Sequence, residues 1–490
     1  MRILGIFLLL SFINFGCKNQ SSSVESQNEN YDFLTDSLQI DNELAAHNLA
    51  GFSLAIIDDY EIIYSKQFGL KSFETSEKID ENTAFSTASI SKPITALLCL
   101  ILEEKGLINL EDPIEDYLKR WKLPESQLIL TNKPNWLHFL NHTSGTSQHG
   151  FADFYEGDYI PSIVESLYGK IPRYDKEIEF QFSPGDDWSY SGGGYVIIQM
   201  ALEDEFGKSL AELASEYLFD PLGLENTTMV QPNEDGFLEN IALVHDKEGK
   251  VIKTGLPITP QVAPSGMWST PNDLAKIVIR IQKALKGDSE GIISQNIAQK
   301  ALKVTALKNA VGGWSYGWQR SFGFNEYDWF SCNGSNTGVG GDVFATMTGG
   351  KGFIILANGD KPNRFPVIGH ARNVILSNLD WQSEQGENEY MDIPDAYKEK
   401  LAGVYHDFLY GQQFNTVIKE KNGQFYVESP FFEFFRGDKS NELLYTKKGY
   451  FKIVDYPNLL KFNLDQENRT VSLYRDEISV QIDLIDNKIQ

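Results

Sequence analysis

A chain of 490 residues, 41% of them hydrophobic, can bury one large core and a second small one, which excludes a peptide, a coiled coil or a disordered tail. The formal net charge of -25, with no local lysine or arginine cluster to offset it, argues against nucleic acid or an anionic lipid surface as a partner. Three cysteines are too few for a disulfide framework, and seven scattered histidines lack metal-ligand spacing, so neither a metal nor any other cofactor is expected.

In chain order, Met1-Arg2 followed by the apolar stretch Ile3 to Phe15 has the pattern of a signal peptide. Gly16-Cys17 and the polar run after it resemble the lipobox and tether of a bacterial lipoprotein, with Cys17 as the lipidated residue. Asn14 stands where an aliphatic residue is usual, which leaves simple cleavage to a soluble secreted form as the alternative. The expected location is therefore exported, periplasmic or at the cell surface, with membrane contact only through the lipid and a flexible tether over residues 18–32.

Gly51 to Ile57 and Ile62 to Gly69 are rich in β-formers and flank a polar turn, which predicts a hairpin. A helix follows, with Pro93 in its first turns and a stop at Lys105-Gly106. Further helices are predicted from Gly194 to Glu205, from Leu210 to Leu218, after the cap at Ser269-Thr270-Pro271, and over Phe365 to Leu379. Trp314 to Arg320, Asp342 to Thr348 and Gly352 to Asn358 read as strands. Strands at both ends with helices between predict an α/β (α+β) domain whose sheet is mainly antiparallel and built from distant segments. Beyond the acidic stretch Gln382 to Glu389, short strands and the Asn422-Gly423 turn predict a small all-β barrel or sandwich.

Two patterns carry chemistry. In Ser89-Ile90-Ser91-Lys92 a lysine three residues after a serine shares its helical face, so a desolvated amine can take the hydroxyl proton. The same letters also suit a capping serine followed by a solvent-facing lysine. In Tyr190-Ser191-Gly192-Gly193-Gly194 a phenol precedes three glycines at the mouth of a loop. A nearby ammonium would lower its pKa and let it relay a proton; a core tyrosine beside a glycine turn is the plainer reading.

Phe85 to Ala96 and Tyr190-Ser191-Gly192 resemble the serine beta-lactamase and penicillin-recognising superfamily, in its class C beta-lactamase-related branch. Leu107 to Pro113, His138 to Gly145, Pro221 to Thr227 and Ser265 to Ala275 resemble further landmarks in family order, and the resemblance covers roughly Asp36 to Ser377. It implies a beta-lactamase-like antiparallel sheet flanked by helices plus a helical subdomain, over residues 33–380. A linker at 381–395 and the all-β region at 396–490 would follow it, behind a leader at 1–17. It implies that Ser89 is acylated, that Lys92 accepts its proton and that Tyr190 relays protons.

The family's strand motif, a basic residue, a variable one and glycine, aligns with Cys332-Asn333-Gly334, so the cation is missing. Sliding the frame to Asn336-Thr337-Gly338 restores no cation. Backbone donors need no particular side chain, so the N–H groups of Ser89 and Ser335 form the expected oxyanion hole. Gly192 replaces the asparagine that contacts a substrate amide in many relatives. Gly192, Cys332, Asn333 and Gly334 are thus expected to line a cleft poorly suited to carboxylate-bearing beta-lactams. Cys332 as the nucleophile itself is an alternative, but no histidine is placed to activate it.

The expected activity is hydrolysis of a small ester or amide through a Ser89 acyl-enzyme, the partner being a small-molecule or peptide substrate. A D,D-carboxypeptidase or D-amino-acid peptidase, a beta-lactamase, and an inactive binding protein of the same fold are the alternatives. The oligomeric state is not legible.

Overall fold

The computed structural model describes residues 31–288, 290–309, 312–324, 327–379, 381, 390–409, 412–428, 440–446, 451–453, 459–460, 462–464, 470–475 and 478–486. Cys17 and most of the expected tether lie outside them.

Strand β1 (Gly51–Asp58) is apolar at nearly every position because both its faces are covered. Phe52, Leu54 and Ile56 point into one core, Ala55 and Ile57 into the other. It pairs with β2 (Glu61–Gly69) in the expected hairpin. The short strands β3 (Phe85–Ser86) and β4 (Trp268–Ser269) pair with each other outside the main sheet. Strands β5 (Ala306–Asn309), β6 (Gly312–Trp314), β7 (Gln319–Phe324), β8 (Tyr327–Asn336), β9 (Val339–Thr346) and β10 (Gly352–Ala357) complete an antiparallel sheet of order β2-β1-β10-β9-β8-β7-β6-β5. The single strand expected over Trp314 to Arg320 is instead two, β6 and β7, because residues 315–318 turn at Gly317, whose φ is +81°.

Two helical layers enclose the sheet. Helices α1 (Asp32–Leu38) and α2 (Ile40–His47) lie on one face with the last helix of this region. The other face carries α3 (Ser91–Glu104), α4 (Trp136–Leu140), α5 (Ile163–Leu167), α6 (Gly192–Phe206), α7 (Leu210–Ala214), the single turns α8 (Asp220–Leu222) and α9 (Val262–Ser265), α10 (Pro271–Leu285) and α11 (Gln295–Leu302). Helix α12 (Lys361–Asn378) starts four residues before the expected Phe365, with Pro362 in its first turn. Helix α3 is buried from Ser91 to Leu102 all round, as its unbroken apolar run requires, and stops where Gly106 takes a φ of +70°.

Past Leu379, β11 (Tyr390–Met391), expected within the linker, pairs with β15 (Ser440–Thr446) of a second sheet. After α13 (Asp395–Leu401) this sheet contains β12 (Gly403–Leu409), β13 (Gln412–Lys421), β14 (Gln424–Glu428) and strands to Asp486. Asn422 and Gly423 form the expected tight turn, with φ of +56° and +83°. Among the described residues the strand order is linear with no ladder joining its ends, so the region is an open sheet rather than the closed barrel that was one expectation.

Candidate active site

Ser89 sits in a single 3-10 turn, Ala88–Ile90, that runs directly into α3, so the spacing to Lys92 is helical as expected. Ala88 has a φ of +50°, a left-handed conformation that costs a non-glycine residue about 1–2 kcal/mol and lifts the next residue out of the regular helix. Ser91 Oγ holds the turn by donating to Ala88 O at 2.6 Å and accepting the Met267 N–H at 3.0 Å.

Lys92 is 2% exposed. Its Nζ lies 3.2 Å from Ser89 Oγ, donates to Pro264 O at 2.8 Å, and sits 4.8 Å from the centre of the Tyr190 ring. Burial drives its pKa down from 10.5 to about 7, so the amine is available as a base near neutrality. Tyr190 OH donates to Ser89 Oγ at 3.0 Å. The structure thus brings together Ser89, Lys92 and Tyr190, which are up to 101 residues apart.

One expectation about Tyr190 is reversed. Burial raises its pKa well above the ordinary phenol value, with Cys332 adding to the rise and the hydrogen bond to Ser89 opposing it. The phenol therefore remains a proton donor. It is held by the His142 ring at 4.4 Å and the Trp314 ring at 5.9 Å, while His142 Nδ1 accepts the Ser191 N–H at 3.2 Å. Ser191 caps α6 by accepting the Gly194 N–H, which fixes Tyr190 immediately before the helix.

The opposite wall is β8. Its pairing with β7 ends at Ser331, so the edge from Cys332 to Asn336 is uncovered on that side. Asn336 and Val339 flank the two-residue turn and exchange hydrogen bonds, so alternation along the antiparallel ladder turns the Ser335 N–H away from β9, toward this open edge. Gly334 brings the edge against the Ser89 turn: a Cβ there would lie 2.0 Å from Thr87 O. Behind the strand, the fully buried Arg364 of α12 donates to Ser335 Oγ at 2.5 Å and Gly359 O at 2.8 Å.

Cys332 Sγ faces the site and donates to Ser89 O at 3.5 Å. Burial pushes its thiol up to about 12, which leaves it neutral and unsuited to attack. Asn333 is exposed on the strand. At Gly192 a Cβ would meet Phe151 Cε2 at 2.9 Å, so the ring of Phe151 takes the room an asparagine side chain would need. Sequence reasoning did not reach Pro264, Trp314, Phe151 or Arg364, since each acts through a fold contact with no local motif. Among the described residues no cluster of three or more His, Cys, Asp or Glu side chains is arranged to hold a metal.

An antiparallel sheet between two helical layers, with a serine turn facing one uncovered strand edge and a buried lysine of lowered pKa beside it, places the protein among the serine hydrolases of beta-lactamase-like fold. The chain belongs to the Beta-lactamase family, whose profile matches residues 39–375, well over half its length. It is 30% identical over 186 residues to penicillin-binding protein 4* of Bacillus subtilis (strain 168), covering 37% of this chain and 38% of that protein. It is 27% identical over 332 residues to the teichoic acid D-alanine hydrolase of Staphylococcus aureus, covering 66% of this chain and 74% of that one. In fold it resembles the octameric penicillin-binding protein homologue from Pyrococcus abyssi, with a TM-score of 0.58 and 21% identity over 92% of this chain and 99% of that chain.

Proposed function

We propose that the protein hydrolyses a small ester or amide through an acyl-enzyme on Ser89. The observation that carries this reading is the pair of contacts on Ser89 Oγ, one with a lysine whose amine is about half unprotonated at pH 7 and one with a protonated phenol. Lys92 takes the hydroxyl proton as Oγ attacks the carbonyl carbon, and the carbonyl oxygen becomes an oxyanion between the N–H groups of Ser89 and Ser335. Tyr190 gives its proton to the leaving oxygen or nitrogen and is reprotonated from Lys92. Water then attacks the ester carbonyl, losing its proton to the same pair, and Ser89 departs with a proton restored.

An ester is favoured over a beta-lactam because Cys332 supplies no cation and Phe151 fills the space beside Gly192. A D-alanyl ester is a second reading, supported by the likeness to the teichoic acid D-alanine hydrolase. A fluorophosphonate probe is expected to label the wild type and not Ser89→Ala. A folded wild type that resists the probe would instead support a binding protein that has lost turnover. We also propose export and lipid attachment at Cys17, from the pattern of residues 1–17. Labelled palmitate should be incorporated by the wild type and not by Cys17→Ser; equal incorporation refutes the anchor.

A further inference from the structure

We propose that Asp153 selects acyl groups that carry an ammonium beside the reacting carbonyl, making α-aminoacyl esters the preferred substrates; this rests on the acyl-enzyme reading above. Asp153 lies on the loop between α4 and α5, against the β8–β9 turn. Its Oδ2 accepts the backbone N–H of Thr337 at 3.3 Å.

That contact locates the carboxylate relative to the chemistry. Thr337 is the first residue of the β8–β9 turn, but Ser335 and Asn336 before it are in the strand, so the N–H of Thr337 points to the same side as that of Ser335. Since the Ser335 N–H faces the uncovered edge of β8, Asp153 stands at that edge too, about 7 Å farther along at roughly 3.3 Å per residue. A carbonyl oxygen held by the Ser335 N–H has an α-amino nitrogen about one hydrogen-bond length away, and a second such length reaches a carboxylate. The two together span most of that interval.

The electrostatics favour the same occupant. Asp153 is half-buried and forms no ion pair with a described residue, its one backbone donor being Thr337. Burial raises its carboxyl to about 6, opposed by Thr337 and by the more distant guanidinium of Arg173, so the group is mostly ionised at neutral pH and incompletely compensated. Farther back along the same strand, the position where relatives carry a cation for a substrate carboxylate is the neutral Cys332, and burial lowers Lys92 so that it is only partly charged near pH 7. A carboxylate at the strand edge with no ion-pair partner in contact, beside a Cys332 that supplies no cation, disfavours a substrate carboxylate and suits an ammonium.

The test compares D-alanine ethyl ester with ethyl propionate, which lacks only the amine, on the full chain and on Asp153→Asn. Asparagine retains an oxygen for the Thr337 N–H, so the loop keeps its tether and the melting temperature should hold. The ratio of kcat/KM for the aminoacyl ester to that for the propionyl ester should fall by roughly 10- to 100-fold in the variant, the propionyl rate being unchanged. Using the ratio within each protein cancels the greater intrinsic reactivity of the aminoacyl ester. An unchanged ratio, or an equal loss on both esters, overturns the assignment and leaves the hydrolase reading standing. If the wild type turns over neither ester and resists the fluorophosphonate probe, the hydrolase reading fails and this inference fails with it.

Discussion

Lys92→Met removes a buried amine and replaces it with an apolar chain of similar length, and the structure fixes what that should do. The folded-state pKa is about 7 against 10.5 for a solvated lysine. The folded protein therefore binds fewer protons than the unfolded chain between these values, so the group opposes folding fully below pH 7 and ceases to do so above 10.5. Integration gives a penalty of about 5 kcal/mol at pH 6 and about 2 kcal/mol at pH 9. The lost hydrogen bond to Pro264 O subtracts about 1 kcal/mol from the benefit of removal. Lys92→Met should thus be more stable than the wild type by about 4 kcal/mol at pH 6 and about 1 kcal/mol at pH 9, while losing ester hydrolysis by at least about 1,000-fold. Urea denaturation at both pH values measures the difference. A wild-type-to-variant gap that does not narrow between pH 6 and pH 9 means that Lys92 titrates as an ordinary lysine, and the account of it as the neutral base is then wrong.

The same depressed pKa requires kcat/KM for a neutral ester to rise with pH through an apparent value of about 7, as Lys92 loses its proton, with no falling limb from Tyr190 below pH 10; a flat profile from pH 5 to 9 contradicts this. Gly334→Ala should push the β8 edge away from the Ser89 turn, since its Cβ would lie 2.0 Å from Thr87 O, and lower kcat by about 100-fold; wild-type turnover would show that the edge does not hold the oxyanion donor. Gly192→Asn restores the family's residue but collides with Phe151, so it should destabilise by about 1–3 kcal/mol in thermal melts and produce no nitrocefin turnover; efficient turnover would show that Gly192 alone limits beta-lactam hydrolysis.

The parts of the site that lie close together in sequence were legible. Ser89 and Lys92 are separated by one helical turn, so spacing predicts their shared face, while their roles and that of Tyr190 came from the resemblance to family motifs. The hairpin of β1 and β2 and the Asn422-Gly423 turn follow from local chemistry in the same way. What escaped depends on tertiary contact. Pro264 offers only a backbone carbonyl, which no side-chain pattern announces, and Arg364 acts from behind the strand through Ser335. Asp153 is one acid among 68 acidic residues until the fold sets it against Thr337. The direction of the Tyr190 shift was misread because burial of the phenol itself, which the sequence does not display, dominates it.

The bond from Lys92 to Pro264 joins residues 172 positions apart, and Tyr190 reaches Ser89 across 101. Before those segments meet, Lys92 is a hydrated cation and Ser89 an alcohol like any other in the chain. Reactivity is therefore a property the nascent polypeptide does not possess. It arrives late, with closure of the tertiary structure, and vanishes on unfolding, so a fluorophosphonate would report the folded fraction of a population as faithfully as it reports the serine.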